Sequence, residues 1–446
     1  MTVRYPSDDV DPTPLSQPLQ FAFSGRTAPN RFLKSAMTER LCTWSSTSLA
    51  ARGIPTTNLV NVYRRWGEGA VGVLVSGNVM IDYEHIEAAG NAIIPRDAKF
   101  EGERFEGFRD VAREAKRYGS LLVAQVPDTM QEHPISASDI HLKGTALGST
   151  FAKPRAATHE EIANVVQGFA HAAEYLERSG FDGIQLHGAH GYLLAQFLSR
   201  TTNKRTDAYG GSLRNRARLV VEIGQAIRKV TSPRFILCIK LNSVEWQEGG
   251  FGVDEAREVC KILEENRFDF VELSGGTYEK LVFYHEREST KKREAFFIEF
   301  AEKIVPGLSK TKVYVTGGFK TVGAMVEALN TVPGIGIARP LCQEPLLCKE
   351  ILEGKVKGAV EQKIDLTDVS LTTIAAGAQI KQLGKNQEPI DLGEEKNVEV
   401  FMRELSKWTN AQKNKADASG GHKKEAVYGF MDLPGPGIPG YVEAKL

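Results

Sequence analysis

The chain has 446 residues, 41% apolar and 25% charged, enough to bury a large core with no disulfide or metal staple. Lys plus Arg and Asp plus Glu are 56 each, and a formal net charge of zero argues against a general electrostatic grip on nucleic acid or an anionic membrane. Five cysteines with no C-x-x-C pair read as free thiols in a reducing compartment, which points to the cytoplasm rather than to a disulfide framework or a zinc ribbon.

Residues 1–30 open acidic and Pro-rich, with no apolar run behind a basic patch, and read as a leader that packs on the bottom of the next domain or hangs as a loose arm. From residue 31 to 360, eight short apolar runs alternate with amphipathic stretches: FLKSAM (32–37), VGVLVSG (71–77), LLVAQV (121–126), GIQLH (183–187), FILCIKL (235–241), FVELSG (270–275), VYVTGG (313–318) and GIGIA (334–338). Runs that are apolar throughout suit strands buried on both faces. Between them, 158–179 repeats apolar residues at helical spacing behind a Thr158/Glu161 capping box, and 212–230 and 253–266 read the same way. Eight strands alternating with helices predict an α/β fold, a (β/α)8 TIM barrel, with a doubly wound sheet as the rival.

Residues 361–446 read as a C-terminal helical extension (371–383 and 397–410) and a flexible tail. The tail holds GPGIPG (435–440), a literal G-x-G-x-x-G that follows no strand and opens no helix, so a dinucleotide-binding reading fails on context. It ends Ala444-Lys445-Leu446, one substitution from the S-K-L address, which makes the peroxisome the alternative to the cytoplasm.

A barrel places its active site where the strands end. Those ends read Thr38, Ser76, Gln125, His187, Lys240, Ser274, Gly317 and Arg339, nearly all polar, which suits a ligand with a polar edge. Gly317-Gly318 after strand seven and Arg339 after strand eight resemble a phosphate cradle, against the plainer readings of a βα turn and a surface ion pair. His187, His190 and Tyr192 follow strand four. They read as a zinc site lacking a third ligand, as two imidazole donors on one carbonyl oxygen beside a phenolic proton donor, or as satisfied buried histidines.

The run HGAHGYLLAQFLSRTTNKRTDAYGGSLRNRAR (187–218) resembles the signature stretch of the Old Yellow Enzyme family of FMN-dependent NAD(P)H oxidoreductases. NRFLKSAMTERL (30–41), GGTYE (275–279), YVTGGFKT (314–321) and IGIARPLCQEP (335–345) extend the likeness over about 20–360, and IKLNSVEWQEGGF (239–251) with the extension resembles the NADH:flavin oxidoreductase branch.

The resemblance implies non-covalent FMN, NADH or NADPH as reductant, and ping-pong reduction of an enone C=C bond by hydride from flavin N5. It implies Thr38 on a flavin carbonyl, Gln125 on the pyrimidine side, Lys240 beside N1 and the C2 carbonyl, and Gly317, Gly318, Ala338 and Arg339 on the phosphate and ribityl chain. His187 and His190 would hold the substrate oxygen and Tyr192 would give the proton. A specialised FMN oxidation (dehydrogenation or demethylation) and a non-catalytic barrel are the alternatives. The expected partner is a small-molecule enone, with no nucleic acid and no membrane; a homo-oligomer, the nicotinamide preference and the physiological substrate stay open. Departures from the pattern are the acidic loop 126–132, Arg200 and Arg214, the last two expected in surface pairing. Trp44 and Trp246 are candidates to line the mouth, and Cys42 reads as a small buried hydrophobe.

Overall fold

The computed structural model describes residues 3–127, 134–143, 145–146, 149–150, 152–245, 249–275, 298–418 and 429–434. Eight parallel strands close on themselves: β1 (Phe32–Lys34), β2 (Val73–Met80), β3 (Leu121–Val126), β4 (Gly183–Gly188), β5 (Ile236–Asn242), β6 (Phe270–Ser274), β7 (Lys312–Thr316) and β8 (Gly334–Ile337). Each pairs with the next, and β1 pairs with both β8 and β2, which closes the barrel. The eight predicted runs are these eight strands, and the doubly wound alternative is ruled out by the closure.

The first strand is shorter than the run 32–37 suggested. Its last backbone pairing runs from Ser35 N–H to Ile337 O, the Ser35 hydroxyl turns inward to Glu272, and the chain leaves the sheet for the barrel mouth.

Around the barrel lie α1 (Thr57–Glu68), α2 (Glu103–Lys116), α3 (His159–Arg178), α4 (Leu213–Val230), α5 (Val253–Glu265), a helix over 298–304, α6 (Val322–Ala328) and α7 (Leu347–Leu352). The predicted capping box starts α3: Thr158 Oγ1 accepts from Glu161 N–H, and Glu161 accepts from Thr158 N–H. Its apolar stripe, Ile162, Val165, Phe169, Ala173 and Leu176, is buried in the layer between helices and strands. Each large side chain so placed contributes about 1.5–3 kcal/mol.

The leader does not hang loose. Residues 19–20 and 27–28 form a hairpin whose Leu19, Phe21 and Ala28 join Leu33, Val73, Val123, Cys238, Phe270 and Tyr314 in a separate apolar cluster at the N-terminal end of the barrel. Phe21 packs 5.2 Å from the Phe270 ring, and Asp269 accepts the Ser24 N–H at 2.7 Å. An apolar plug therefore fills the bottom, and the polar interior begins one layer higher.

The extension is helical as expected, with α8 (Val369–Gly384) and α9 (Glu395–Ala418). Asn61 on α1 donates to Gly384 O at 2.9 Å, and Arg65 pairs with Glu388 at 3.3 Å. Residues 429–434 return across α8, with Phe430, Met431 and Leu433 buried. Gly377 makes this approach possible, because a Cβ there would stand 2.3 Å from the Phe430 ring. The GPGIPG stretch and the terminal Ala444-Lys445-Leu446 lie outside the described residues.

One buried cation marks the wall of the barrel. Lys34 is fully buried, donates to Val75 O at 2.8 Å and lies 4.1 Å from the Trp66 ring centroid. Burial pushes its pKa from 10.5 to about 8, although Glu39 pulls the other way. The depressed value means that the native state resists the proton. Below pH 8 the full cost is felt, and it is relieved as pH rises toward 10.5, where the unfolded chain still binds a proton. Lys34→Met is expected to gain about 2–3 kcal/mol of stability at pH 7 and progressively less toward pH 10. Melting of variant and parent at both pH values checks this; an equal difference at the two would refute the buried charge as cause.

Candidate active site

At the end of β4 the chain turns through Ala189, His190 and Gly191, and Tyr192 caps the short helix Leu193–Leu198. His190 has φ 58°, a left-handed conformation that costs a non-glycine residue about 1 kcal/mol or more. Two neighbours fix it there. Asn242 Oδ1 accepts its backbone N–H at 3.3 Å, and Ser274 Oγ stands 2.9 Å from its Nε2. Asn242 and Ser274 are paired across β5 and β6, so adjacent strand ends hold backbone and ring. The His187 ring lies 5.2 Å from that of His190 and 4.2 Å from that of Tyr192. The three residues singled out from the sequence thus meet in one cluster.

The electrostatics define what the pair can do. Burial pushes His187 well below its usual pKa, reinforced by His190 and Lys240, and burial with Lys240 takes His190 down to about 3. Both rings are neutral at physiological pH. His187 Nδ1 accepts the Ala189 N–H at 3.3 Å, so the neutral ring carries its proton on Nε2. It is a hydrogen-bond donor, not a cation. No cluster suited to a metal occurs among the described residues.

Beneath the histidines lies a buried polar layer. Lys240 Nζ reaches Glu272 Oε1 at 2.9 Å and Ser35 Oγ at 2.7 Å. Thr316 and Ser35 donate to the same carboxylate oxygen. Glu272 Oε2 accepts from Gln185 Nε2 at 2.8 Å, and Gln185 Oε1 accepts from Gln125 Nε2 at 2.7 Å. Burial alone would raise the Glu272 carboxyl, but Lys240 and the hydrogen bonds outweigh it and hold the pKa below its usual value. Gln125 and Lys240 stand out in the sequence as strand-end residues, and Gln185 and Glu272 do not. The signal was there: each stands two residues before a chosen residue, His187 or Ser274, and so faces the same way.

Thr38 sits at the mouth after β1, and its hydroxyl proton is committed to Glu87 Oε2 at 2.7 Å, while Asn91 Nδ2 donates to its oxygen at 3.2 Å. On the neighbouring strands, the pairing of Thr316 with Gly336 brings Gly317-Gly318 beside Ala338-Arg339. Gly318 has φ 86° with no atom within 4 Å of where a Cβ would stand. Arg339 is exposed and its Nη1 donates to Thr372 of α8 at 2.6 Å, so the extension reaches the predicted phosphate corner.

Arg200 and Arg214 pair with Glu255 and Glu265 at 2.8 and 3.1 Å, as expected of residues off the site. The Trp44 ring lies under the Arg52 guanidinium at 4.3 Å. Cys42 is buried, and burial and Glu39 push its thiol well up, which makes it inert; none of the five cysteines is in a disulfide, and all are buried. Trp246 and loop residues 128–132 lie outside the described residues.

A model of the NADH:flavin oxidoreductase / NADH oxidase family matches residues 14–358. The chain belongs to that family, the Old Yellow Enzymes. The NADH-dependent flavin oxidoreductase nadA of Aspergillus parasiticus is 52% identical over 408 residues, 90% of this chain and 92% of the relative. The NADH-dependent flavin oxidoreductase iccE of Talaromyces variabilis is 34% identical over 357 residues, 74% and 84% of the two. Among solved structures, the old yellow enzyme homologue from Zymomonas mobilis superposes with TM-score 0.62 at 20% identity over 79% of this chain and 95% of that one, a likeness of fold. FMN is the cofactor of this oxidoreductase family and a reduced nicotinamide its reductant.

The mouth fits FMN. Amide and ammonium donors at Gln125 and Lys240 suit the heteroatom edge of an isoalloxazine, and the open left-handed backbone at Gly318 next to Arg339 suits a phosphate. Among the described residues no helix is long and apolar enough to cross a membrane.

Proposed function

We propose that this chain reduces the C=C bond of α,β-unsaturated carbonyl compounds at the expense of NADH or NADPH. The observation that carries the reading is the convergence of two neutral imidazoles and a phenol at the barrel mouth, directly above a buried lysine. When bound, FMN would be the two-electron carrier between the nicotinamide and the enone, held by Gln125, Lys240, Gly317, Gly318, Ala338 and Arg339, and the Thr38 hydroxyl would reach a flavin carbonyl only by turning from Glu87.

The protein's own residues do the rest. His187 Nε2–H and a His190 ring N–H bind the carbonyl oxygen and stabilise the negative charge that grows on it as the β-carbon receives hydride. Because both rings are neutral, they polarise the carbonyl without the repulsion a cation pair would bring above Lys240. The Tyr192 hydroxyl gives its proton to the α-carbon, which completes addition of two electrons and two hydrogens across the double bond; the phenol is reprotonated from solvent.

The test is spectroscopic. NADH or NADPH should bleach the flavin band under anaerobic conditions, and 2-cyclohexenone should restore it. Tyr192→Phe should leave the bleaching rate unchanged and slow reoxidation by weakly activated enones about 10²-fold or more. Reoxidation by oxygen but by no enone would remove the reading.

A further inference from the structure

The C-terminal segment 429–434 reaches the barrel mouth, and it does so through a charged relay. The Phe430 ring is buried, backed by α8 at Gly377 and tied by its own carbonyl to Lys381 Nζ at 2.8 Å. Lys381 and Lys385 both hold Asp432, and Gln382 donates to Pro434 O at 3.2 Å, so the segment is fixed along its length. On its other side, Phe430 carries the Arg40 guanidinium at 4.8 Å from the ring centroid. Arg40 is a left-handed non-glycine residue, φ 54°, and its Nη2 pairs with Glu87 Oε1 at 3.2 Å. The other oxygen of Glu87 takes the Thr38 hydroxyl proton at 2.7 Å and an Asn91 N–H at 3.1 Å. The line therefore runs Phe430, Arg40, Glu87, Thr38, from a segment almost 400 residues downstream to a hydroxyl just beyond β1.

We propose that Phe430 is a positioning residue of the active site, which by holding Arg40 against Glu87 keeps a counter-charge on that carboxylate and sets the direction of the Thr38 hydroxyl at the cofactor-binding mouth. The physical basis is competition for one carboxylate. With Arg40 seated on the aromatic ring, Glu87 is neutralised by a fixed cation. With the ring gone, Arg40 can swing toward water and leave an uncompensated carboxylate at the mouth, which would disfavour the added negative charge of a reduced flavin bound there. Thr38 is also bound more tightly to that carboxylate and turns less readily to anything else. The extension is then part of the site and not only a clamp on α1.

The decisive variants are Phe430→Leu, which keeps apolar volume against Gly377 and removes the π face, Phe430→Tyr, which keeps the face, and Glu87→Gln, which removes the charge. All are made in the full-length holoprotein. At the potential where the parent flavin is half reduced, Phe430→Leu should lower the reduced-to-oxidised ratio about threefold or more, the scale of a largely buried cation–π contact. Phe430→Tyr should restore it. Glu87→Gln should raise the ratio, and adding Phe430→Leu to Glu87→Gln should change nothing further, since the carboxylate that transmits the effect is gone.

A Phe430→Leu protein that melts lower but keeps the parent potential and FMN dissociation constant would overturn the proposal and leave the segment a structural strap. A shift that survives in the Glu87→Gln background would overturn the route through Glu87. Should Phe430→Leu fail to fold, Arg40→Gln breaks the same relay and carries the same expectation. These readouts follow bound FMN and not enone turnover, so they separate failure of this coupling from failure of the enone reading.

Discussion

His187→Ala is expected to lower the rate of enone reduction about 10²–10³-fold while NADH still bleaches the flavin at close to the parental rate. The asymmetry follows from what the ring does. Its Nε2–H is aimed by the Ala189 N–H on Nδ1, and it is a neutral donor because burial, His190 and Lys240 together exclude the imidazolium. Such a donor is worth most where negative charge accumulates on an oxygen, which happens to the enone and not to the nicotinamide. His187→Asn keeps an N–H donor of shorter reach and should recover part of the loss. The depressed pKa values add a second expectation: the pH profile of enone reduction should show no imidazole limb between pH 5 and 8, since His190 protonates only near 3. Stopped-flow measurement of the two half-reactions separates the effects. Equal slowing of both would show that His187 shapes the whole pocket and not the oxygen site alone.

The fold was legible because its strands are buried on both faces, so that each appears as a short apolar run with nothing to confuse it with an amphipathic helix. The cluster His187, His190 and Tyr192 was legible for a local reason as well: one strand end and one tight turn bring it together, within six residues. The buried layer around Glu272 was harder. Gln185 and Glu272 sit inside runs read as apolar, and only their two-residue offset from His187 and Ser274 discloses that they face the lumen. What no local pattern could disclose is pairing between distant loops. Nothing near Thr38 in sequence announces Glu87, and nothing near Arg40 announces Phe430. The leader shows the same limit. Its apolar Leu19, Phe21 and Ala28 are unremarkable in sequence and become the plug of the barrel only when the hairpin folds under it.

Lys240→Met is expected to cost about 3–5 kcal/mol of stability, the penalty for stranding a buried charge. Glu272 is wholly buried, and Lys240 is the cation bonded to it; Ser35, Thr316 and Gln185 are neutral donors that cannot balance its charge. Removing Lys240 forces Glu272 either to stay ionised at high cost or to take up a proton. If it takes up the proton, Gln185 and then Gln125 lose the acceptor that orients them. FMN affinity should therefore fall with stability, through Gln125 as well as through the lost ammonium. Lys240→Met combined with Glu272→Gln removes both charges and should recover most of the stability but not the FMN affinity, because the amide can still hold Gln185 while the Lys240 ammonium is gone from beneath the mouth. Thermal melting with and without added FMN, on the two variants, distinguishes these contributions. A single variant that melts within a degree of the parent would mean that Glu272 is already protonated in the native protein, and the lysine would then stand as an unpaired cation beneath the cofactor instead of one half of a neutral pair.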